Sequence, residues 1–258
     1  MSILKLFFIS IFAPLYSLAL GCLAYGPWGP LHQIFIFVFK KIYRIESDKN
    51  LRFKTLGDFF LRPTPIKLGS APLVSPVEGY CFEGPKPINL SETISAKGIE
   101  YSWRSFQEID AAQFHRGVYW NFYLAPHNYH WVHAPASGKN LEGFRTRGAK
   151  LPVNAFGRWL EPKLFNVNER LTFKFQTEEF GKIVMICVGA MGVSALFSDK
   201  GVLEYDRWMP LQKDLKKGER LLGFRLGSTV ILLTEKPIPS PSSKSVVRVG
   251  DELIQSRT

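Results

Sequence analysis

The sequence predicts an α+β fold, with a helical N-terminal segment followed by a mainly β body of short antiparallel strands. Residues 6–25 carry no charged side chain, and a second apolar stretch at 31–38 follows a break rich in glycine and proline. Further along, prolines and glycines separate short β-favouring runs, and helical periodicity is rare. We therefore expect a membrane-associating helical segment over residues 1–45 and a folded domain over residues 46–258.

The charge balance indicates an anionic partner. The chain has 258 residues, is 46% hydrophobic and carries a formal net charge of +11, so it can build one substantial core and attract nucleic acid or an anionic membrane. Several basic residues, among them Lys40, Lys41 and Arg44, come directly after the second apolar stretch. Each basic residue near an anionic bilayer contributes roughly 1 kcal/mol. This pattern favours a membrane surface, and no nucleic-acid partner is expected.

The N-terminal stretch has three interpretations at this point. Residues 6–25 are just long enough to span a bilayer as a helix, although Pro14 interrupts them. A cleaved signal or lipoprotein leader is a second interpretation, but Lys5 alone makes a weak charged start and the residues before Cys22 fit poorly. The third is an uncleaved hairpin or pair of helices lying in the membrane interface.

The remaining elements follow from local patterns. A short helix is predicted over 53–60, ended by the prolines that follow it. Three scattered cysteines indicate neither a disulfide framework nor a zinc site, and a reduced, cytosol-facing body fits best. The predicted strands are 73–74, 93–96, 118–124, 129–133, 171–176, 183–188, 201–205, 229–233 and 246–249.

One dipeptide near the C-terminus has reactive potential. Gly227 presents a carbonyl unhindered by a neighbouring Cβ, and the hydroxyl of Ser228 follows it directly. A serine so placed can attack that carbonyl and convert the amide into an ester. By itself, the dipeptide is more typical of a turn before a strand.

The histidines are concentrated in one short stretch. Three of the five, His127, His130 and His133, fall close together among strand-favouring aromatic and β-branched residues. The alternation of a strand would put His127 and His133 on one face and His130 on the other. This pattern argues against a three-histidine metal site, so no metal is predicted. It leaves His133 as a candidate general base and gives His130 a structural role.

A carboxylate upstream is the next candidate. Glu78 lies between Pro76 and Gly79, and such a carboxylate on a defined loop could orient an imidazole. On local grounds alone, a solvated turn glutamate is the simpler interpretation.

Together these pieces resemble the phosphatidylserine decarboxylase proenzymes, in an order and spacing that cover most of the chain. The matching blocks are 59–63 (FFLRP), 74–79 (VSPVEG), 96–98 (AKG), 101–102 (YS), 123–126 (YLAP), 129–135 (YHWVHAP), 164–170 (LFNVNER), 188–190 (VGA) and 226–229 (LGST).

The resemblance implies an enzyme that is made as a zymogen. Ser228 would attack the Gly227 carbonyl, and autocatalytic cleavage would yield a large chain, 1–227, and a small chain, 228–258. Residue 228 would become a pyruvoyl group, the only cofactor, which forms a Schiff base with the amine of phosphatidylserine. The lyase would release phosphatidylethanolamine in phospholipid biosynthesis. The family also implies a homodimer on the cytoplasmic side of the inner membrane, peripheral or anchored by its N-terminus.

The resemblance also assigns roles to the candidate residues. His133 matches the family's base for self-cleavage, and His130 matches a neighbouring histidine that binds substrate. Glu78 stands where the family has the aspartate of an acid–histidine–serine set, so its arm is one methylene longer. A second departure is His127-Asn128, where many members carry Arg-Asp.

Two alternatives stay open at this point. One is a non-catalytic lipid-binding relative that is not processed because Glu78 replaces the aspartate. The other is an enzyme that decarboxylates a related serine-headgroup lipid.

Overall fold

The structure is a computed structural model of the chain. It describes residues 13–45, 52–89, 93–96, 99–102, 106–149, 151, 159, 161, 164–189, 196–201, 203–224, 228–238 and 240–254.

Helices are few and lie mostly in the N-terminal part. They are α1 (Ala13–Tyr25), α2 (Leu31–Tyr43), α3 (Leu56–Phe60), a 3₁₀ turn (Ala111–Phe114) and α4 (Leu164–Val167). The predicted helix over 53–60 is observed only over α3, because the Thr55 hydroxyl caps its N-terminus by accepting from Asp58 N at 3.0 Å. Within the described ranges, no helix combines the length and the apolar character that crossing a membrane requires.

The N-terminal helices are joined to the body through α3. His32 of α2 accepts a hydrogen bond from Leu56 N at its Nδ1 (3.3 Å), and its Nε2 lies 2.8 Å from the Gly26 carbonyl. Ile36 packs with the buried Phe59 and Phe60 of α3 in a small apolar cluster. These contacts place α2 beside the FFLRP block.

In the described part of the body, the strands form three antiparallel sheets. The strands are β1 (Gly79–Pro87), β2 (Thr93–Ala96), β3 (Ile99–Ser102), β4 (Val118–Leu124), β5 (Trp131–His133), β6 (Gly138–Thr146), β7 (Arg170–Gln176), β8 (Lys182–Gly189), β9 (Leu196–Ser198), β10 (Trp208–Leu215), β11 (Arg220–Phe224), β12 (Ser228–Thr234) and β13 (Val246–Val247). The largest sheet has eight strands in the order β10-β6-β7-β8-β12-β4-β1-β13. The second has the order β5-β11-β9, and β2 and β3 form the third. The predicted α+β class, mainly antiparallel β with few helices, is confirmed.

The central strands are buried on both faces. All seven residues of β12 are buried, as are 183–189 of the neighbouring β8. Their near-continuous runs of branched apolar residues suit a strand covered on both sides. The hydrophobic core around them includes Trp120, Phe122 and Phe173, which are fully buried.

Several strand predictions hold and several are wrong. The strands over 93–96 and 118–124 have the predicted bounds, and those over 171–176, 183–188 and 229–233 extend by a single residue at one or both ends. The prediction over 201–205 is wrong, since its described residues form only one bridge, from Tyr205 to Arg145. At 73–74 only Val74 forms a bridge, to Glu252. The last strand, predicted over 246–249, is shorter and ends at Val247.

The strand predicted over 129–133 begins later than expected. Asn128 closes a turn with Ala125, because its N donates to the Ala125 carbonyl (2.9 Å) and its Oδ1 accepts from Ala125 N (2.8 Å). Only Trp131–His133 is strand. The strand-face prediction is therefore wrong for His127 and His130, which lie in the turn and the approach to β5.

Candidate active site

Ser228 begins β12 at the centre of the large sheet. It pairs with Leu124 of β4 on one side and with Gly189 of β8 on the other, and it is fully buried. Its hydroxyl has no hydrogen-bond partner among the residues that the structure describes. Buried hydroxyls are nearly always bonded, so an unengaged one is a candidate for chemistry. The preceding Gly227, with 225 and 226, lies outside the described residues.

Several strand ends meet beside Ser228. Antiparallel pairing brings the start of β12, the end of β4 and the end of β8 to the same end of the sheet. Gly79 begins β1 at that end and packs so closely on β4 that a Cβ at its position would lie 2.2 Å from the Tyr123 carbonyl oxygen. This close approach requires glycine, and it brings Glu78 to the same end of the sheet as Ser228.

Asn168 supports the neighbouring strand end. Its side-chain amide donates to the carbonyls of Gly189 (2.9 Å) and Leu151 (2.8 Å), and its Oδ1 accepts from Leu151 N (3.0 Å). The residue is fully buried just after α4. It therefore fixes Gly189, the partner of Ser228 on β8.

A buried arginine holds the histidine turn. Arg62, 6% exposed, donates from one terminal nitrogen to the carbonyls of His127 (2.6 Å) and Asn128 (2.9 Å). Burial lowers the pKa of its guanidinium, while the charge of Glu78 opposes that shift. Trp131 Nε1 adds a 3.0 Å bond to the Leu61 carbonyl. The FFLRP block thus acts as a clamp on the turn.

His130 is completely buried at the end of this turn. Its Nδ1 lies 2.8 Å from the Asn128 carbonyl and must carry the hydrogen, while its Nε2 has no partner within the described part of the chain. Burial lowers the pKa of His130 to about 3, so the ring is neutral at physiological pH. The Phe60 ring packs edge-on against it at 5.0 Å.

His133 has both ring nitrogens engaged. Its Nδ1 lies 2.7 Å from the Gly218 carbonyl and its Nε2 lies 3.1 Å from the Tyr129 hydroxyl. Burial lowers the pKa of His133, the bond to Gly218 opposes the shift, and the charge of Arg220 lowers the pKa further. The imidazole is therefore kept in its basic, neutral form.

Glu78 faces the turn and not the imidazole of His133. Its Oε1 accepts 3.3 Å hydrogen bonds from Asn128 Nδ2 and Tyr129 N. No hydrogen bond joins it to His133 within the ranges that the structure describes. With Tyr129, it lines a cavity of about 560 Å³ between the loops 64–69 and 244–252.

The four site residues predicted from the sequence lie in two neighbouring parts of the fold. Glu78, His130 and Ser228 lie around one end of the large sheet, with His133 on β5 in the adjoining small sheet. Sequence reasoning assigned no role to Tyr129 or to the carbonyl of Gly218. The sequence signal at position 218 is the glycine itself, which indicates a turn with a positive φ, and the structure has φ of +81° there.

The described residues offer no alternative metal centre. Across the described ranges, no group of three histidine, cysteine, aspartate or glutamate side chains could hold a metal ion.

Comparison with known proteins identifies the family. The phosphatidylserine decarboxylase family model matches residues 56–255. A phosphatidylserine decarboxylase proenzyme of Glaesserella parasuis is 32% identical over 243 residues, covering 84% of this chain and 81% of the relative. The proenzyme of Hamiltonella defensa is 33% identical over 257 residues, covering 87% and 88%, and that of Methylibium petroleiphilum is 32% identical, covering 83% and 82%.

The family match begins at the N-terminus of α3 and includes every residue of the site described above. It spans the FFLRP clamp, the histidine turn and the start of β12. The relatives agree with this match, because each of them shares about a third of its aligned positions with this chain. The chain belongs to the phosphatidylserine decarboxylase family.

Proposed function

We propose that this protein is a self-processing phosphatidylserine decarboxylase that forms phosphatidylethanolamine with a pyruvoyl group derived from Ser228. The observation that carries the proposal is the fully buried Ser228 hydroxyl, which has no hydrogen-bond partner among the described residues and directly follows Gly227 in a chain of this family. A pyruvoyl group has no hydroxyl, so the lack of a partner for Oγ in the described residues suits a side chain that is to be consumed.

Self-cleavage can be written with balanced atoms. Ser228 Oγ loses its proton to a base and attacks the Gly227 carbonyl, and the C–N bond breaks to leave an ester and a free amine. A base then removes the Cα proton of residue 228, and the Cβ–O bond breaks to release the Gly227 carboxylate. The resulting dehydroalanine takes up water and loses ammonia. A base is needed twice, and the neutral imidazole of His133 is the candidate.

The pyruvoyl group supplies an electrophilic ketone that accepts the electrons released when carbon dioxide leaves. The residues of the chain then have two tasks, which are to hold the serine headgroup and to return a proton to the carbon that loses the carboxylate. We assign headgroup binding to His130, whose buried Nε2 has no partner in the described residues. We assign proton transfer to His133, which burial keeps neutral.

The N-terminal helices support a membrane location. The exposed apolar side chains of the helices and of their connection are Leu15, Leu18, Leu23, Trp28, Leu31, Ile34, Phe37, Val38, Ile42 and Tyr43. Lys40 and Lys41 lie in the last turn of α2, beside this apolar surface. Apolar insertion combined with basic side chains suits an anionic bilayer. We propose that residues 1–45 hold the enzyme, as a homodimer, on the cytoplasmic side of the inner membrane.

Mass spectrometry under denaturing conditions tests the proposal. The wild type should separate into two chains, with the small chain lighter by one ammonia than a peptide that begins with serine. Ser228→Ala should remain one chain and form no phosphatidylethanolamine from phosphatidylserine vesicles. An intact wild-type chain that forms no ethanolamine lipid would overturn the proposal, and if it still bound the vesicles it would indicate a non-catalytic lipid-binding relative.

A further inference from the structure

The contacts of His133 determine which of its nitrogens is the base. A carbonyl oxygen only accepts hydrogen bonds, so the 2.7 Å contact with Gly218 puts the hydrogen on Nδ1. Nε2 then carries the lone pair and accepts from the Tyr129 hydroxyl at 3.1 Å. Burial raises the pKa of Tyr129 to about 12, so that hydroxyl keeps its proton and can donate. The neutral base is thus already in a single tautomer.

The Gly218 carbonyl is held rigidly. Gly218 N donates to the Ala134 carbonyl and Ala134 N donates to the Glu219 carbonyl, both at 2.8 Å. The turn is closed by a 3.0 Å bond from Glu219 N to the Lys216 carbonyl. The turn is therefore bonded directly to the residue after His133, which fixes the carbonyl against the imidazole. This acceptor can set the orientation and the tautomer of the ring, the task that a carboxylate performs in an acid–histidine–serine set.

Glu78 reaches the same imidazole only through other groups. Its Oε1 accepts from Tyr129 N and from Asn128 Nδ2, while the far end of Tyr129 bonds Nε2 of His133. Asn128 offers Glu78 a donor, which an ionised aspartate at 128 would not.

We propose that Glu78 is a positioning residue that acts on His133 through Tyr129, and that the Gly218 carbonyl orients Nδ1 in place of a carboxylate. The inference rests on the proposed self-cleavage. It predicts that position 78 needs a hydrogen-bond acceptor and not a negative charge. Glutamine offers the same Oε1 acceptor, and its amide nitrogen can face the cavity that Glu78 lines.

The charged groups around His133 are consistent with this assignment. Arg220, its pairing partner on β11, lowers the pKa of His133, and Asp199, next to β9, raises it. Arg220 and Asp199 bond one another at 3.2 Å. The Tyr129 ring, also titratable, stacks on the imidazole at 5.7 Å between centroids. Removing the charge at position 78 should consequently change the pKa of His133 very little.

The experiment follows processing of the full-length precursor in cell-free synthesis, over about pH 5 to 9, for wild type, Glu78→Gln and Glu78→Ala. Glu204→Gln, at an exposed glutamate, is the matched control. We expect Glu78→Ala to slow cleavage at least about tenfold and Glu78→Gln to recover most of that loss. The acid limb of the pH–rate profile, where cleavage slows as pH falls, should lie within about 0.3 pH unit of wild type in Glu78→Gln.

The opposite outcome overturns the inference. If Glu78→Gln is as slow as Glu78→Ala, and its acid limb moves to lower pH, the carboxylate acts on the imidazole by its charge. Failure of the wild type to cleave would overturn the proposed function itself, so the two failures are distinguishable.

A second variant tests the path through Tyr129. Tyr129→Phe keeps the main-chain bond to Glu78 and removes only the hydroxyl at Nε2. We expect cleavage to slow several-fold and the acid limb to move, because the hydroxyl bonds neutral and protonated imidazole unequally. Tyr80→Phe, at a partly exposed tyrosine, is the control. A Tyr129→Phe rate and pH profile equal to wild type would refute the path.

Discussion

The main-chain N–H of Phe224 donates a 2.9 Å hydrogen bond to the carbonyl of His130. Phe224 ends β11, and Ser228 begins β12 four residues later. Four residues of extended chain span at most about 14 Å, so the Cα atoms of Phe224 and Ser228 lie no farther apart than that. One end of the cleavage segment is therefore tied to the histidine turn and the other to the centre of the large sheet. Such restriction favours attack within one chain.

The buried His130 should make the stability of the protein sensitive to acid. The pKa of this ring is about 3 in the folded protein and near 6.5 when it is free. The unfolded chain thus binds the proton first, and stability that is complete above pH 6.5 declines by about 1.4 kcal/mol per pH unit as pH falls towards 3.

Urea unfolding of Ser228→Ala, which remains one chain, measures this decline between about pH 7 and 5. Adding His130→Asn should flatten the pH dependence, since asparagine can donate to the Asn128 carbonyl without titrating. Equal slopes in the two proteins would show that His130 is not held neutral by the fold.

The clamp on the histidine turn should not tolerate lysine. A lysine ammonium could bond the His127 and Asn128 carbonyls, but it has no second nitrogen to donate to the Phe59 carbonyl (3.4 Å). It also lacks the planar guanidinium that lies over the Phe59 ring at 5.0 Å. We expect Arg62→Lys to lower the free energy of unfolding by about 2 kcal/mol and to slow self-cleavage. The exposed Arg207→Lys should change stability by less than about 0.5 kcal/mol. Equal effects of the two changes would contradict the clamp.

A buried ion pair joins the start of β7 to the loop before the 3₁₀ turn. Arg170 donates to both oxygens of Glu108, at 2.5 and 2.8 Å, and Thr172 bonds one of those oxygens at 3.1 Å. Both charged side chains are at most 3% exposed. Glu108→Leu should cost about 3–5 kcal/mol, because it leaves a buried guanidinium without its counter-charge.

A double-mutant cycle separates the charge from the packing. Arg170→Met added to Glu108→Leu should recover a large part of the loss, since it removes the unpaired charge. Losses that simply add would show that the two side chains do not interact.

The apolar face of α2 should control binding to vesicles. Ile34 and Phe37 are 55% and 66% exposed, and transferring such side chains into lipid contributes roughly 1.5–3 kcal/mol each. Phe37→Asp should therefore weaken flotation with phosphatidylserine vesicles at least about tenfold while leaving the body folded. Val246→Asp alters an equally exposed apolar residue on β13 and should bind like wild type. Comparable losses in both variants would argue against α2 as the membrane contact.

The sequence predicted best where local pattern and tertiary role agree. The run 118–124 is unbroken by glycine or proline, and β4 has the predicted bounds. The strands β1, β6, β10 and β11 were missed because glycine, proline or charged residues interrupt each of them, and tertiary pairing overrides those local signals.

The residues of the candidate site also differ in whether the sequence could reveal them. His133 and Ser228 could be selected because their side chains carry chemistry. Tyr129 and Gly218 contribute through a hydroxyl contact and a main-chain carbonyl, and only pairing across distant parts of the chain brings these beside the imidazole.

The central position of β12 has a consequence for the protein after cleavage. Residues 228–234 would remain bonded on both edges, to β4 and β8, and residues 246–247 would pair with β1. The small chain would thus supply a central strand and an edge strand of a sheet whose other strands belong to the large chain. Cleavage would turn a single folded chain into an obligate complex of two polypeptides, whose unfolding depends on protein concentration.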